Sequence, residues 1–307
     1  MIEVKSLCKS YGAFKAVDNL SFTVEAGQVL GFLGPNGAGK STTMKMLTGF
    51  LTPTSGTVLV NGIDVVENSV LVRKGIGYLP EGAPSYGEMT VQQFLVFIAR
   101  ARLVDENDVS TCVGNAIEKL NLSHVKHQTI ETLSKGFKRR VGLAQAIMHD
   151  PQILILDEPT DGLDPNQKRE VRHLIRDMAK DKIIIISTHI LEEVAALCNR
   201  IMIIADGKLL ADDSPHGLIV QSRYHNAVTL VVENAQKVAS TFGELAQVAK
   251  VEINENELTL FPTGDENLLE AVTDAVKRGQ YELSALRLEA GRLDEVFHSI
   301  TQGGAAA

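Results

Sequence analysis

The segment GPNGAGKS at residues 34–41 has the residue types and the spacing of a loop that binds phosphate groups. Its glycines let successive backbone N–H groups converge on phosphate oxygens, because no Cβ atom stands in the way. Lys40 would add a positive charge at the β- and γ-phosphates, and the Ser41 hydroxyl would bind Mg²⁺. Chance would produce this pattern about 0.01 times in a chain of this length. The segment therefore predicts a phosphate-binding site.

Two carboxylates, Asp157 and Glu158, directly follow the apolar run QILIL at residues 152–156. A buried strand that ends in such a pair places both side chains at the carboxyl edge of a parallel sheet, where α/β folds bind ligands. There Asp157 would hold Mg²⁺, and Glu158 would polarise an attacking water molecule. An ordinary acidic turn would explain the pair equally well on its own, but the phosphate loop upstream favours the functional interpretation.

The elements that must position these residues follow an α/β pattern. An apolar run at residues 28–33 precedes the phosphate loop, and a helix-like stretch at 41–48 follows it, as in a strand–loop–helix unit. The runs at 152–156 and 182–186 are apolar without alternation, and a polar helix-like segment at 165–180 separates them. Such strands are typical of a parallel sheet that is buried on both faces. The predicted fold class is therefore α/β.

Composition excludes several classes of protein. The chain has 307 residues, of which 44% are hydrophobic and 22% are charged, as expected for two soluble globular domains. A formal net charge of -8 disfavours a protein that binds duplex nucleic acid. No apolar run approaches the roughly 20 residues that a membrane span needs, and the N-terminal residues do not predict a signal peptide. The three scattered cysteines indicate reduced thiols rather than a disulfide or a zinc site.

The composition changes near residues 214–217, and the following segment shows strand and helix patterns in the order βαββαβ, which is typical of a ferredoxin-like domain. We therefore predict a nucleotide-binding domain at residues 1–220, a small α+β accessory domain at 221–302 and a flexible tail at 303–307. The accessory domain carries no clear catalytic group, so we expect it to stabilise a dimer or to regulate it.

Seven motifs, in order along residues 1–220, resemble those of the nucleotide-binding subunit of ATP-binding cassette (ABC) transporters. They are an adenine-stacking aromatic at Tyr11, a Walker A loop at 34–41, a glutamine loop at 78–81 (YLPE), a signature at 133–137 (LSKGF), a Walker B strand at 153–158, a D-loop at 162–164 and a switch histidine at His189. Tyr11 alone would be a surface aromatic, and His189 alone a histidine at a strand end. Their places in the series favour the functional interpretation of both.

The resemblance implies a P-loop NTPase fold, with a RecA-like core, a helical subdomain and an N-terminal β subdomain. It implies ATP and Mg²⁺ as cofactors, catalytic roles for Lys40, Glu158 and His189, and Ser41, Asp157 and Glu81 at the metal. In this family two cassettes pair head to tail, so each ATP lies between one Walker A loop and the other chain's signature. The residues thereby expected at the nucleotide are Tyr11, Gly34, Pro35, Asn36, Gly37, Ala38, Gly39, Lys40, Ser41, Thr42 and Glu81 in one chain, and Ser134, Gly136 and Asp164 across the interface.

Two positions depart from the family pattern. Glu81 stands where the glutamine loop has its glutamine, and a carboxylate donates no hydrogen bond unless it is protonated. The usual signature LSGGQ is LSKGF here, although Ser134 and Gly136 remain. Such variants, together with a C-terminal extension, resemble the exporter subunits related to gliding-motility and drug-resistance ATPases.

The resemblance also implies partners. We expect a second ABC subunit in a homodimer and separate integral membrane permease subunits, because this chain has no apolar span of its own. The protein would then lie in the cytoplasm, on the cytoplasmic face of the inner membrane, as the ATPase of an exporter. No nucleic acid is expected. Exposed apolar residues within residues 89–103 would mark the contact with the permease.

Two alternative functions remain open at this stage. One is a soluble ABC-type ATPase of the chromosome-maintenance or translation kind. The 117 positions between Lys40 and Asp157 are too few for a chromosome-type coiled coil, and translation-type members usually carry two cassettes. The other is a non-hydrolysing regulatory subunit, which the presence of Glu158 and His189 disfavours.

One basic cluster admits two interpretations. Lys135, Lys138, Arg139 and Arg140 could form a patch for nucleic acid, but the chain is acidic overall. We therefore predict a solvated helix start near the partner's nucleotide.

Overall fold

The computed structural model describes residues 1–83, 85–264 and 267–303. The chain divides into two compact units, Met1–Ser214 and Pro215–Ala307. The division thus falls at the composition change near residue 214, before the boundary at 220/221 that the sequence suggests. No helix within the described residues is long and apolar enough to cross a lipid bilayer.

The first unit combines strands and helices in an α/β arrangement. Its strands are β1 (Ile2–Tyr11), β2 (Phe14–Val24), β3 (Val29–Leu33), β4 (Ser55–Val60), β5 (Ile63–Asp64), β6 (Ile76–Leu79), β7 (Ile153–Asp157), β8 (Ile183–Thr188), β9 (Arg200–Ala205) and β10 (Lys208–Asp213). Its helices are α1 (Lys40–Leu47), α2 (Ser69–Lys74), α3 (Val91–Ala101), α4 (Glu106–Lys119), α5 (Lys135–Ile147), α6 (Pro165–Met178) and α7 (Leu191–Leu197), with a 3₁₀ turn at Ile130–Thr132.

The central sheet has the strand order β10-β9-β3-β8-β7-β6. Its strands run parallel except for β10, which pairs antiparallel with β9 at one edge. Every residue of β3, β7 and β8 is buried, which explains their continuous apolar runs. Leu33 pairs with Thr188, and Asp157 pairs with Ser187. The segments that follow these three strands therefore emerge side by side at one edge of the sheet.

A second sheet, antiparallel and ordered β2-β1-β4-β5, packs against the central sheet. One hydrophobic cluster contains residues of both sheets, and the rings of Phe22 and Phe32 lie 5.4 Å apart within it. The strands β1 and β2 join through a tight turn that leaves Tyr11 opposite Phe14. The turn thereby places two aromatic residues side by side at the end of the β1–β2 hairpin.

The helices α3, α4 and α5 pack on one another, in the region where the sequence predicts a mostly helical stretch. Thr90 and Gln93 form a capping box at the start of α3. The sequence pattern does not predict α2 and β6, because elements this short show no clear periodicity.

The second unit contains α8 (Pro215–Val220), β11 (Val228–Val232), α9 (Ala235–Gly243), β12 (Val248–Asn254), β13 (Glu257–Pro262), α10 (Leu268–Gly279), β14 (Leu283–Leu288) and α11 (Leu293–Gly303). From β11 to β14 the order is βαββαβ, and the antiparallel sheet is ordered β12-β13-β11-β14. Its core includes Leu230, Phe242 and Leu260, all fully buried. Residues 304–307 of the predicted tail lie outside the described residues.

Candidate active site

The loop between β3 and α1 packs so closely that two of its positions require glycine. A Cβ atom on Gly39 would lie 2.3 Å from the carbonyl oxygen of Ala16, and Gly39 has a φ of 100°. A Cβ atom on Gly34 would lie 2.2 Å from the carbonyl oxygen of Ile204. Larger residues would push the loop away from the sheet. The glycine pattern thus sets the path of the backbone as well as its approach to a ligand.

The helix α1 begins at Lys40 without a side-chain cap and without an acidic residue in its first turn. Its first N–H groups and its dipole therefore favour an anion at this end. The Nζ atom of Lys40 donates hydrogen bonds to the carbonyl oxygens of Gly34, at 2.7 Å, and Pro35, at 3.1 Å. Burial lowers the pKa of Lys40. Three carboxylates oppose this shift, in decreasing order Glu158, Asp157 and Glu81.

Asp157, at the end of β7, is buried, and only one of its two carboxylate oxygens has a hydrogen-bond partner among the described residues. Its Oδ1 atom accepts a hydrogen bond from the Ser187 hydroxyl on the neighbouring strand. Its Oδ2 atom is buried and has no hydrogen-bond partner among the described residues. An orphaned carboxylate oxygen is costly in the interior. A Mg²⁺ ion, or water bound to it, would satisfy Oδ2, so the donor set fits a hard cation.

Glu158 follows directly and turns away from the strand. Its backbone N–H donates to the carbonyl oxygen of Ser187 at 3.0 Å, and its φ of 52° lies in the left-handed region. Its Oε1 atom lies 2.9 Å from Nδ1 of His189. The Glu158 side chain is largely buried, whereas His189 is exposed. The two predicted catalytic side chains are thus in direct contact.

A cavity of about 340 Å³ lies between the phosphate loop and Glu158. Its lining consists of Tyr11, Phe14, Ala16, Asn36, Gly37, Gly39, Lys40, Ser41, Thr42, Glu81 and Glu158. The lining therefore combines residues of the phosphate loop, two carboxylates and two exposed aromatic rings. Phe14 is not among the residues that the sequence motifs predict at the nucleotide. The two-residue turn in YGAF could have revealed it, because residues opposite each other in a hairpin share one face.

Comparison with known proteins agrees with this arrangement. Residues 17–161 match the family model described as "ABC transporter". An uncharacterized ABC transporter ATP-binding protein of Bacillus subtilis (strain 168), YxlF, is 40% identical over 209 residues, which cover 68% of this chain and 69% of that protein. The chain belongs to the ABC transporter family of ATP-binding proteins. Both the predicted family and the predicted α/β class of this cassette are confirmed.

Two further comparisons extend this result. The Nod factor export ATP-binding protein I of Rhizobium meliloti is 40% identical over 219 residues. The match covers 71% of this chain and 65% of that relative, so about a third of the relative has no counterpart in the alignment. A solved structure described as the ATP binding subunit of an ABC transporter is similar to this chain, with a TM-score of 0.67 and 29% sequence identity. The match covers 72% of this chain and 92% of the chain in that structure. A chromosome-type or translation-type ATPase is not favoured by these relatives.

Six residues predicted at the nucleotide are absent from the lining of this cavity. Three of them, Gly34, Pro35 and Ala38, belong to the phosphate loop itself. The other three, Ser134, Gly136 and Asp164, belong to the signature and the D-loop. Ser134 caps α5 by accepting from Phe137 N–H at 3.4 Å, and Asp164 caps α6 by accepting from Gln167 N–H at 2.9 Å. Both caps are exposed. Gly136 is buried against the D-loop, where its Cβ would lie 3.2 Å from the carbonyl oxygen of Gly162.

The prediction of a solvated basic cluster is wrong for Arg139 and Arg140, which are both buried. Arg140 donates to Leu120 O at 3.2 Å and pairs with Glu170 at 2.9 Å. Arg139 donates to backbone carbonyl oxygens beside the site. The error has a physical cause: α5 lies against other elements of the unit, so its inward face buries long side chains whose heads find carbonyl partners.

Proposed function

We propose that this cassette is a Mg²⁺-dependent ATPase that forms a homodimer around ATP and energises a separate membrane permease, as part of an exporter. The observation that carries the proposal is a cavity lined by the phosphate loop and by Glu158, the carboxylate that contacts His189. The relative named for Nod factor export supports the exporter assignment.

The triphosphate would be bound by the loop and the start of α1. The backbone N–H groups and Lys40 supply the positive charge, since the ammonium group already lies against the loop carbonyls and would exchange them for phosphate oxygens. The base would lie against Tyr11 and Phe14, two aromatic residues of the cavity lining that offer ring faces.

Glu158 is the residue placed to accept a proton from the attacking water. Its carboxylate lines the cavity beside the phosphate loop, and His189 holds Oε1 from the exposed side. Mg²⁺, when bound by Ser41 and Asp157 with Glu81 nearby, would neutralise phosphate charge. Holding the water in line with the γ-phosphate is then the task of Glu158.

A single chain does not bring its signature to its own nucleotide. Ser134 and Asp164 are exposed caps of α5 and α6, and neither lines the cavity. A second copy, paired head to tail, would present its Ser134, Gly136 and Asp164 to this cavity. We assign residues 221–302 an accessory role in stabilising or regulating this dimer.

A second cavity, of about 530 Å³, supports the permease partner. Six of its lining residues have aliphatic or phenyl side chains: Phe50, Val70, Ile76, Ile98, Ala101 and Leu103. Phe50, Val70 and Leu103 are exposed, and an exposed apolar patch typically marks a contact with another protein. The occupant we propose is a cytoplasmic segment of the permease, which would hold the cassette at the cytoplasmic face of the inner membrane.

The test of the ATPase uses the purified full chain with ATP and Mg²⁺. The wild type should hydrolyse ATP, and Glu158→Gln should bind ATP, lose hydrolysis and become a stable dimer by light scattering. A variant that stays monomeric under these conditions would count against the sandwich. Absence of hydrolysis in the wild type, alone and with its permease, would favour a non-hydrolysing regulatory subunit.

The partner requires a separate measurement. Leu103→Asp places a charge in the apolar cavity and should abolish co-purification of the permease while the chain still binds ATP. Leu288→Asp, at an exposed apolar residue of the second unit, is the matched control. Equal loss of the permease in both variants would contradict the assigned surface.

A further inference from the structure

Two basic residues on one face of α5 contact the segment that follows β7. Lys135 and Arg139 are four positions apart, so they lie one turn apart on the same side of the helix. The Nζ atom of Lys135 lies 2.8 Å from Oδ2 of Asp161. The guanidinium of Arg139 donates to the carbonyl oxygens of Asp157 and Glu158. The helix α5 therefore contacts both ends of the segment 157–161.

That segment is a tight turn around the proposed catalytic carboxylate. The backbone N–H of Asp161 donates to the carbonyl oxygen of Glu158 at 3.1 Å, which closes the turn. Glu158 itself has a left-handed φ of 52°, a conformation that a residue with a Cβ atom adopts only when its surroundings require it. Arg139 binds the carbonyl group of this strained residue, so it is one of the contacts that maintain the conformation.

The Lys135 side chain also touches the turn through its methylene groups. A Cβ atom on the next residue of the loop, Gly162, would lie 2.7 Å from Cδ of Lys135. The aliphatic part of the lysine therefore lies on the glycine while its ammonium group reaches Asp161. Lys135 holds the pKa of Asp161 below its ordinary value, chiefly through their hydrogen bond.

Arg139 has a third partner, in the segment that follows β6. Its Nη1 atom donates to the carbonyl oxygen of Pro80 at 3.0 Å. The next residue, Glu81, lines the cavity. One buried guanidinium thus connects the loop at residues 78–81 to Asp157 and Glu158.

We propose that Lys135 and Arg139 are positioning residues, which hold the turn at Glu158 in the conformation that aims its carboxylate at the nucleotide. The inference rests on the proposed ATPase function. Neither side chain lines the cavity, so their loss should reduce the rate of hydrolysis and leave ATP binding intact. A small displacement of a catalytic group suffices for a large loss of rate.

The experiment compares full-length variants for kcat, for the Kd of ATP and for Tm. Arg139→Lys keeps the charge, but its single nitrogen cannot occupy both the Nη1 position at Pro80 and the Nη2 position at Asp157 and Glu158. Lys135→Met keeps the methylene contact but removes the charge. Lys119→Met is the control, because Lys119 is an exposed lysine at the end of α4, outside the predicted site and away from the turn. Asp161→Asn removes the acidic partner of Lys135.

We expect Arg139→Lys to lower kcat by about 10- to 100-fold while the Kd of ATP changes less than about twofold. Lys135→Met and Asp161→Asn should each lower kcat about threefold. The double variant should be no slower than either single variant, because both substitutions remove the same contact, the ion pair between Lys135 and Asp161. Lys119→Met should match the wild type. Should Arg139→Lys fail to fold, the Lys135 and Asp161 variants still decide the question.

Two results would overturn this inference but leave the proposed function intact. In the first, the wild type is active and both Arg139→Lys and Lys135→Met keep full kcat. In the second, the kcat and the ATP affinity of the variants fall in parallel with Tm, as a purely structural role requires. A wild type that binds ATP without hydrolysing it would overturn the proposed function and this inference together.

Discussion

The Nδ1 atom of His189 lies 2.9 Å from Oε1 of Glu158, although 31 positions separate the two residues. The contact exists because β7 and β8 are parallel neighbours, so the residues that follow them emerge together. Glu158 is mostly enclosed, and His189 is 56% exposed at its side chain. The histidine therefore approaches the carboxylate from the solvent side and restricts its rotation.

His189→Ala should lower kcat by about 10- to 100-fold, because Glu158 loses the partner that orients it. The Kd of ATP should remain close to that of the wild type, since His189 does not line the cavity. Steady-state hydrolysis and equilibrium titration together measure the two quantities. His189→Asn, whose amide can occupy the position of Nδ1, should recover part of the rate. Full activity in the alanine variant would contradict the role assigned to this contact.

Glu81→Gln should leave the Kd of ATP within about threefold, because affinity rests mainly on the phosphate loop. Glu81 is exposed at the cavity and raises the pKa of Lys40 only as the third of three carboxylates. The substitution removes a negative charge, so the Mg²⁺ concentration for half-maximal hydrolysis should rise. Isothermal titration and a Mg²⁺ series provide the readouts. A loss of ATP binding would show that Glu81 does more than approach the metal.

Phe14→Ala should weaken ATP binding by about 3- to 10-fold, through loss of an aromatic contact with the base. The ring is 63% exposed, so its removal should cost little stability. Tyr11→Ala should have a similar effect, whereas Tyr11→Phe should bind as the wild type does. Phe50→Ala is the control, since Phe50 is 66% exposed and lies outside this cavity. Unchanged affinity in Phe14→Ala would remove Phe14 from the site.

His149 should make the cassette less stable as the pH falls from about 6.5 to about 4. Burial, with Arg102 second, lowers its pKa from 6.5 to about 4, and its Nε2 atom accepts a hydrogen bond from Arg102 at 3.0 Å. Between these values the unfolded chain binds a proton that the folded chain does not, so the free energy of unfolding decreases. Above pH 6.5 both states are neutral, and the contribution is complete.

Urea unfolding at a series of pH values measures this effect. In the wild type, the free energy of unfolding changes with pH with a slope that includes the uptake of one proton by His149. His149→Gln should lack this part of the slope and keep the part that comes from the carboxylates. His173→Gln, at an exposed histidine, should retain the full slope of the wild type. Identical slopes in the two variants would exclude His149 as the source.

The chemistry of the site is mostly readable in the sequence, because its parts are short and contiguous. Residues 34–41 form a loop whose glycines act through local backbone geometry, and Asp157 and Glu158 end an apolar strand that must be buried. The motif at residues 187–189 follows a second such strand. Each of these motifs is defined by residue type, by spacing and by its place after a parallel strand. Each can therefore be recognised without knowledge of the fold.

Phe14, Arg139 and the free oxygen of Asp157 illustrate what such patterns omit. Phe14 lines the cavity only because a hairpin turn sets it beside Tyr11. Arg139 looks like a solvated charge, and its burial follows from the face that α5 turns toward Pro80 and Glu158. The orphaned Oδ2 of Asp157 depends on which hydroxyl the neighbouring strand supplies.

The sequence by itself determined the α/β class, the phosphate loop, the two carboxylates and the membership of an ABC cassette, because these depend on local residue order. Only the tertiary structure decided that Glu158 contacts His189, and that Ser134 and Asp164 do not line the cavity of their own chain. It also decided that α5 contacts the turn at Glu158. Those relationships join residues that are far apart in the chain, and packing of the sheet and the helices is what brings them together.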